Sequence, residues 1–368
     1  MRMFSRLTCC AVGTALIAGS GYAYGKKKLA EGPPPTVVIE SKKKKKKDEE
    51  PPTQILPLPK DPPAAITADS DRLAFDVTPL SAKGLLSQQT RDALRYALSG
   101  TKGTTIVRLR AFVAGSGDLR RVQTLVSEGF AEKKLPLPVV SVVQVGAFPL
   151  EGAQVQIELT SVDKRVHNEF GLALIGGQLT HTADALQPIE KAIAQAQTPA
   201  SNVRRVTCYI SSIELAGRVQ ADLKQHFPQA ESTVMQMQRA PIPDAAACEA
   251  IAALSKAPAK PVELVNGTAL LAPGKLAFSG VQLAFKNDQN DVRIAYSRTE
   301  KGLEAVGATL KRAVMIHFYP LTRGISETAR VVETEFCNKE ALPASTLVIL
   351  EGLPAQDALL GLDVISVL

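Results

Sequence analysis

From about residue 67 onward, apolar and polar positions switch between two periods in a recurring order. RLAFDV reads as a strand, LSQQTRDALRYALSG as an amphipathic helix and TTIVRLRAFVAG as a β-rich run. SGDLRRVQTLVSEGFAE follows, with Leu119, Val122, Leu125 and Val126 at helical spacing and Ser116 and Asp118 placed to cap its start. PVVSVVQVGAF and GAQVQIELTSV then alternate as strands across a Pro/Gly turn. The cycle is strand, helix, strand, helix, strand, strand. It is written again as FGLALIGGQLT, ADALQPIEKAIAQAQ, NVRRVTCYISS, ELAGRVQADLKQHF, ESTVMQMQRA and AACEAIAAL. A third version reads GKLAFSGVQLAF, DVRIAYSRTEKGLEAVGATL, KRAVMIHFYPL, ISETARVVETEFC, ASTLVILEGL and ALLGLDVISVL.

Phe112, Tyr209 and Phe318 fall at like points of the three cycles, 97 and 109 residues apart. LPVVSVVQVGAFP at 137–149 and LPASTLVILEGLP at 342–354 share one thirteen-residue frame, the penultimate strand of the first and third cycles. Such self-similarity marks a tandem array of units of roughly 100 residues, with boundaries expected at 67–164, 165–258 and 259–368. Two helices cover one face of each sheet, so the other face needs an apolar partner. VVSVVQV and TLVILEGL carry apolar residues on both parities, which implies burial on both sides. The expected fold class is α+β, with three sheet-plus-two-helix units closing on one another in pseudo-threefold symmetry.

The chain before this array differs in kind. Residues 7–25 are uncharged between two arginines and Lys26–Lys28. Two readings stand open. As an anchor, the stretch of about 19 residues is just long enough to cross a bilayer core of roughly 30 Å; as a signal peptide, it has a basic start and a small-x-small site ending at Ala23. The acid-poor start also suits mitochondrial import, and lysines directly after a cleavage site disfavour export. Residues 1–25 are therefore expected to anchor or target the chain, at the mitochondrial inner membrane, or alternatively in a bacterial periplasm or envelope. Residues 26–66, rich in Pro and Lys, read as a solvated linker. Lys42–Lys47 within it are candidates to touch anionic lipid.

Charge and composition narrow the functions. The net charge of +7 is concentrated in residues 1–62, which hold twelve Lys/Arg against six Asp/Glu, leaving 31 against 30 for the rest. A near-neutral body with 5% aromatic residues and no Trp disfavours nucleic acid as a partner. The five cysteines form no CxxC pair, so neither a zinc site nor a disulfide framework is expected, and the thiols are read as free and mostly buried. His167, His181, His226 and His317 lack metal-ligand spacing and read as structural or surface residues; no metal and no cofactor is expected. GTKG at 100–103 and AGSG at 114–117 are turns without a phosphate-loop context, and Asn266-Gly267-Thr268 fits a hairpin turn and also a glycosylation sequon. Tyr319-Pro320 ends a strand.

Ser279-Gly280 after a strand, Gly177-Gln178, and a Pro-x-x-(Ser/Thr) strand ending in Leu-Pro, together with the element order, resemble the Rid (reactive intermediate deaminase) family. Residues 262–368 are the most similar and 80–163 are recognisable, while the middle unit is the most eroded. Members are typically homotrimers of a chorismate-mutase-like fold with clefts between subunits. The resemblance thus implies a trimer fused into one polypeptide, needing no homotrimer. Active members hydrolyse amino-acid-derived imines, gripping the substrate carboxylate with a strand arginine whose guanidinium fork holds it bidentately. The matching positions here are Val140, Glu231 and Ser345, none of which can do so. The glutamate associated with the hydrolytic water is matched by Gln156, Ala247 and Gly361. Two residues further on lie Glu158, Glu249 and Asp363, weak catalytic candidates that read first as carboxylates in a shared hydrogen-bond network.

With anchor and acid both replaced, imine deamination is not expected. The leading expectation is a catalytically degenerate pseudotrimer serving as a membrane-tethered accessory or scaffold whose partners are protein subunits of a larger membrane complex. The alternative is a small-molecule binder or divergent imine/enamine hydrolase using an inter-unit cleft.

Overall fold

The computed structural model describes residues 60–100, 103–238 and 242–368. The anchor and lipid-facing lysines expected at 7–25 and 42–47 lie outside the described residues. Among the described residues, no helix is long and apolar enough to cross a membrane.

Among the described residues, six α-helices and three sheets make up an α+β structure. In chain order come β1 (Ala65–Asp69), β2 (Leu73–Val77), α1 (Leu86–Gly100), β3 (Thr105–Ala114), α2 (Leu119–Glu132), β4 (Val139–Val145) and β5 (Val155–Val162). Next are β6 (Leu172–His181), α3 (Gln187–Gln195), β7 (Val203–Ile210), α4 (Ala216–His226), β8 (Glu231–Gln236), β9 (Ala245–Ala253), β10 (Val262–Val265) and β11 (Thr268–Leu271). The last are β12 (Lys275–Ser279), β13 (Gln282–Ala284), α5 (Gln289–Glu304), β14 (Ala313–Pro320), α6 (Arg323–Phe336), β15 (Ala344–Leu347) and β16 (Leu360–Val367).

The first sheet runs β2-β5-β3-β4, the second β10-β11-β6-β9-β7-β8, and the third β1-β12-β16-β14-β15 with β13 also on β16. One pairing scheme recurs in all three. The strand after the first helix pairs in parallel with the strand after the second (β3 with β4, β7 with β8, β14 with β15), and antiparallel with the last (β5, β9, β16). Parallel neighbours need a crossover, and the second helix of each cycle supplies it. The strand after each first helix (β3, β7, β14) carries a register shift at a like place, between Ile106 and Arg108, Val203 and Arg205, and Ala313 and Met315.

Two segments cross between sheets. β1 pairs with β12, so the start of the array adds to the last sheet. The β10–β11 hairpin pairs through β11 with β6 of the second sheet. Asn266 (φ 49°) and Gly267 (φ 76°) form its two-residue turn in the left-handed region that Asn-Gly favours. Asp118 caps α2, accepting from the Arg120 and Arg121 backbone N–H groups.

Burial follows the period-2 alternation of each strand. Leu109, Ala111 and Val113 of β3 lie under α1 and α2, while Phe112 and Ala114 join a cluster drawn from all three sheets. Likewise Val206, Cys208 and Ile210 pack in the cluster of α3 and α4, and Ile316 and Phe318 in that of α5 and α6. Two shared apolar clusters lie on the inner faces, one holding Val107, Leu174, Ile251 and Met315, the other Phe112, Tyr209 and Tyr319. The aromatic equivalence expected for Phe318 is thus off by one. Phe318 faces the helices, and Tyr319, opposite Gly361, matches Phe112 opposite Gln156 and Tyr209 opposite Ala247. The strand expected over ASTLVILEGL is also shorter, since after Leu347 the chain leaves the ladder to bond to the other sheets.

Those bonds stitch the sheet ends together. Gln144 donates its backbone N–H to the Gly352 carbonyl (2.9 Å), Gly146 to Gln236 (2.9 Å) and Gln238 to Ile349 (3.1 Å), linking first to third, first to second and second to third. At another seam, a Cβ built on Gly176 would collide with the Ser345 backbone of the third sheet. Because that neighbour is backbone, it cannot swing away. Gly176→Ala is expected to lower stability by ~1–3 kcal/mol, as overpacking does; chemical denaturation of the two proteins checks this.

Candidate functional site

The three expected carboxylates lie on the last strand of each cycle (β5, β9, β16) and face inward at one level. The register sets Glu158 opposite Arg110, Glu249 opposite Thr207 and Asp363 opposite His317. All are buried. Arg110, 1% exposed, donates through Nε (2.9 Å) and Nη2 (2.5 Å) to Glu158 Oε2, and through Nη2 to Glu249 Oε1 across the sheet boundary. Thr207 donates its hydroxyl to Glu158 Oε1 from the second sheet. Arg205 Nε lies 3.7 Å from Glu158 Oε2, and its guanidinium sits over the Phe75 ring.

Asp363 ties the first sheet to the third. Arg108 Nη2 (2.6 Å) and His317 Nδ1 (2.9 Å) meet Oδ1, while the hydroxyls of Ser141 (2.6 Å) and Tyr319 (2.9 Å) donate to Oδ2. His317 Nε2 stands 3.5 Å from Glu249 Oε1, which joins the third sheet to the second. Three guanidiniums and three carboxylates therefore meet in one layer between the two shared apolar clusters.

Isolated buried charges cost several kcal/mol each, so only mutual compensation makes this layer tolerable. Burial alone would raise all three carboxyls. Arg110 and Arg205 outweigh it at Glu158, Arg110 and His317 do so at Glu249, and Arg108 and His317 at Asp363, so each stays below the usual carboxylate range. Burial also works against the Arg110 charge, yet Glu158 and Glu249 hold that group above its ordinary value. Burial, then Asp363, pushes the Tyr319 hydroxyl up, so it remains a donor. A void of about 10 Å³ borders the layer, about the size that admits one water. No metabolite fits there.

The positions matched to the family's arginine lie elsewhere, at the seams between sheets. Val140 is buried, and its carbonyl accepts from the Val281 N–H (3.5 Å) of the third sheet. Glu231 is exposed at the start of β8, its carboxyl raised by partial burial and by Asp76 of the first sheet. Ser345 borders a cleft of about 510 Å³ together with Gly177, Gln178 and, from α6, Arg323 and Arg330. Sequence reading missed these two arginines because it followed the strand that holds the family's arginine. Both already have carboxylate partners on their own helix: Arg323 donates to Glu327 (3.0 Å) and Arg330 to Glu333 (2.9 Å). Of the positions matched to the water-positioning acid, Gln156 donates to the Thr78 carbonyl, Ala247 is buried, and Gly361 has the Val281 and Leu353 side chains where a Cβ would stand.

The cysteines correct the sequence reading. Cys208 and Cys248 are joined by a disulfide between adjacent strands, and Cys337 is free and buried. A separation of 40 residues carries no pairing signal; the register of β7 on β9 creates the pair. Among the described residues, no group of His, Cys, Asp and Glu could hold a metal.

No known sequence family and no curated protein matches the chain. Solved structures of YjgF/UK114 (Rid) family members are similar to it over about a quarter of the chain. A YjgF/YER057c/UK114 family member from Mycobacterium tuberculosis is 20% identical over 25% of this chain and 79% of its own, with a TM-score of 0.23. A YjgF family protein from Neisseria meningitidis is 13% identical over 26% of this chain and 81% of its own, also at 0.23. A chorismatase structure is 12% identical over 82% of this chain and 98% of its own, at 0.24.

The carboxylates have a consequence in acid. A carboxyl held below its unfolded value contributes stability above that value, about 3.9 for Asp, and loses it as pH falls toward the folded one. Asp363→Asn leaves Arg108 uncompensated and is expected to cost ~3–5 kcal/mol at pH 7. The gap between the two proteins should narrow below about pH 4, which thermal unfolding across pH checks.

Proposed function

We propose that residues 67–368 are three fused Rid-like units arranged as a pseudotrimer, and that this body is a catalytically degenerate accessory or scaffold subunit of a membrane complex, tethered through residues 7–25 at the mitochondrial inner membrane. One observation carries the reading. The positions equivalent to the family's gripping arginine hold Val140, Glu231 and Ser345, and the recurring carboxylates are spent on holding the sheets together, in a layer closed to anything larger than water. A seam presenting Glu231 beside Asp76 repels an anionic substrate.

The cleft beside Ser345 favours a second reading, that of a small-molecule binder, because Arg323 and Arg330 bring positive charge into a space of about 510 Å³. The helix carboxylates already bonded to both arginines count against it. The readings separate on the full-length protein purified in mild detergent. The scaffold reading expects co-migration with other subunits and no hydrolysis of 2-aminoacrylate above background. A free monomer without partners, or turnover that Arg330→Gln removes, would overturn it.

A further inference from the structure

We infer that Cys208 and Cys248 form a modification site, oxidised to a cystine by a disulfide-bearing dithiol oxidant, and that the body of this protein therefore completes its folding in an oxidising compartment. The inference does not depend on the scaffold reading. The two residues are direct partners in the β7–β9 ladder, with Cα atoms 4.1 Å apart, and their neighbours Thr207 and Glu249 form the adjacent pair of that ladder on the opposite face. The cystine thus fixes the register that delivers Thr207 to Glu158 and Glu249 to Arg110.

The place of the bond has a physical reason. In the first and third sheets, the equivalent pairs are Ala111 with Ile157 and Phe318 with Leu362. The central strands there, VQIELTSV and LGLDVISV, carry Val, Ile and Leu. β9 reads AAACEAIAA, the smallest side chains of the three. Small side chains bury little apolar area, so β9 contributes less to packing against its helices than β5 or β16 does. A covalent link compensates at that strand by constraining the unfolded chain.

Access dictates when the bond forms. Cys208 is 0% and Cys248 1% exposed, so neither thiolate can reach an oxidant once α3 and α4 have packed. During folding, one cysteine thiolate attacks the oxidant's disulfide to give a mixed disulfide and release one oxidant thiolate. The second cysteine thiolate then attacks the protein sulfur and displaces the other. Two Cys thiols have lost two protons and two electrons, and the oxidant's disulfide has become a dithiol. Compartments that hold such oxidants lie outside the reducing cytosol. With the proposed tether, the body stands on the oxidising side of its membrane.

Acid-quenching source cells directly into denaturant with excess maleimide, then digesting the full-length chain without reduction, tests this. The expected result is the Cys208 and Cys248 peptides recovered joined, with Cys337 carrying maleimide as an internal control. Recovery of Cys208 and Cys248 as separate maleimide adducts would overturn the inference while leaving the scaffold reading intact.

Discussion

Arg110 holds two carboxylates at once, Glu158 of its own sheet and Glu249 of the next, and the rest of the structure is arranged around that bond. A guanidinium in the middle of an apolar strand is tolerated only where partners are guaranteed. Both come from neighbouring strands, one of them in another sheet. The sheets must therefore associate before both bonds form, and folding of the first sheet alone leaves Arg110 with Glu158 only. Asp363, gathering Arg108, Ser141, His317 and Tyr319, sets the same condition for the third sheet.

In the proposed pseudotrimer, fusion makes this layer asymmetric. Equivalent places hold Arg110, Thr207 and His317, which three identical chains cannot offer. The unlike residues divide the work: a guanidinium spans two carboxylates, a hydroxyl serves Glu158, and an imidazole lies between Glu249 and Asp363. Carboxylates fixed in that way are not free for water-dependent chemistry in the outer seams.

Local signals in the sequence were legible where local physics decides. The strand–helix order, the Asp118 cap and the Asn266-Gly267 turn each depend on a few adjacent residues. The recurrence of Glu158, Glu249 and Asp363 was visible because all three end the same cycle. Their partners were not. The run TIVRLRAFVA does announce two arginines on one strand face, but Glu249 and Asp363 lie 139 and 255 residues from the arginines they join. The assignment of Phe318 to the place that Tyr319 holds has a similar cause, since only the ladder decides which aromatic faces inward. The disulfide and the crossings of β1 and the β10–β11 hairpin also arise from tertiary register, which spacing along the chain does not encode.

Native-state hydrogen exchange on the central strands tests most directly whether the buried charges make the three sheets one cooperative body. The account predicts that the slowest amides of β5, β9 and β16 exchange through a common opening and shift together with denaturant. If one of these strands exchanged through its own opening at clearly lower free energy while the others stayed protected, the sheets would be separately stable and the account would be wrong.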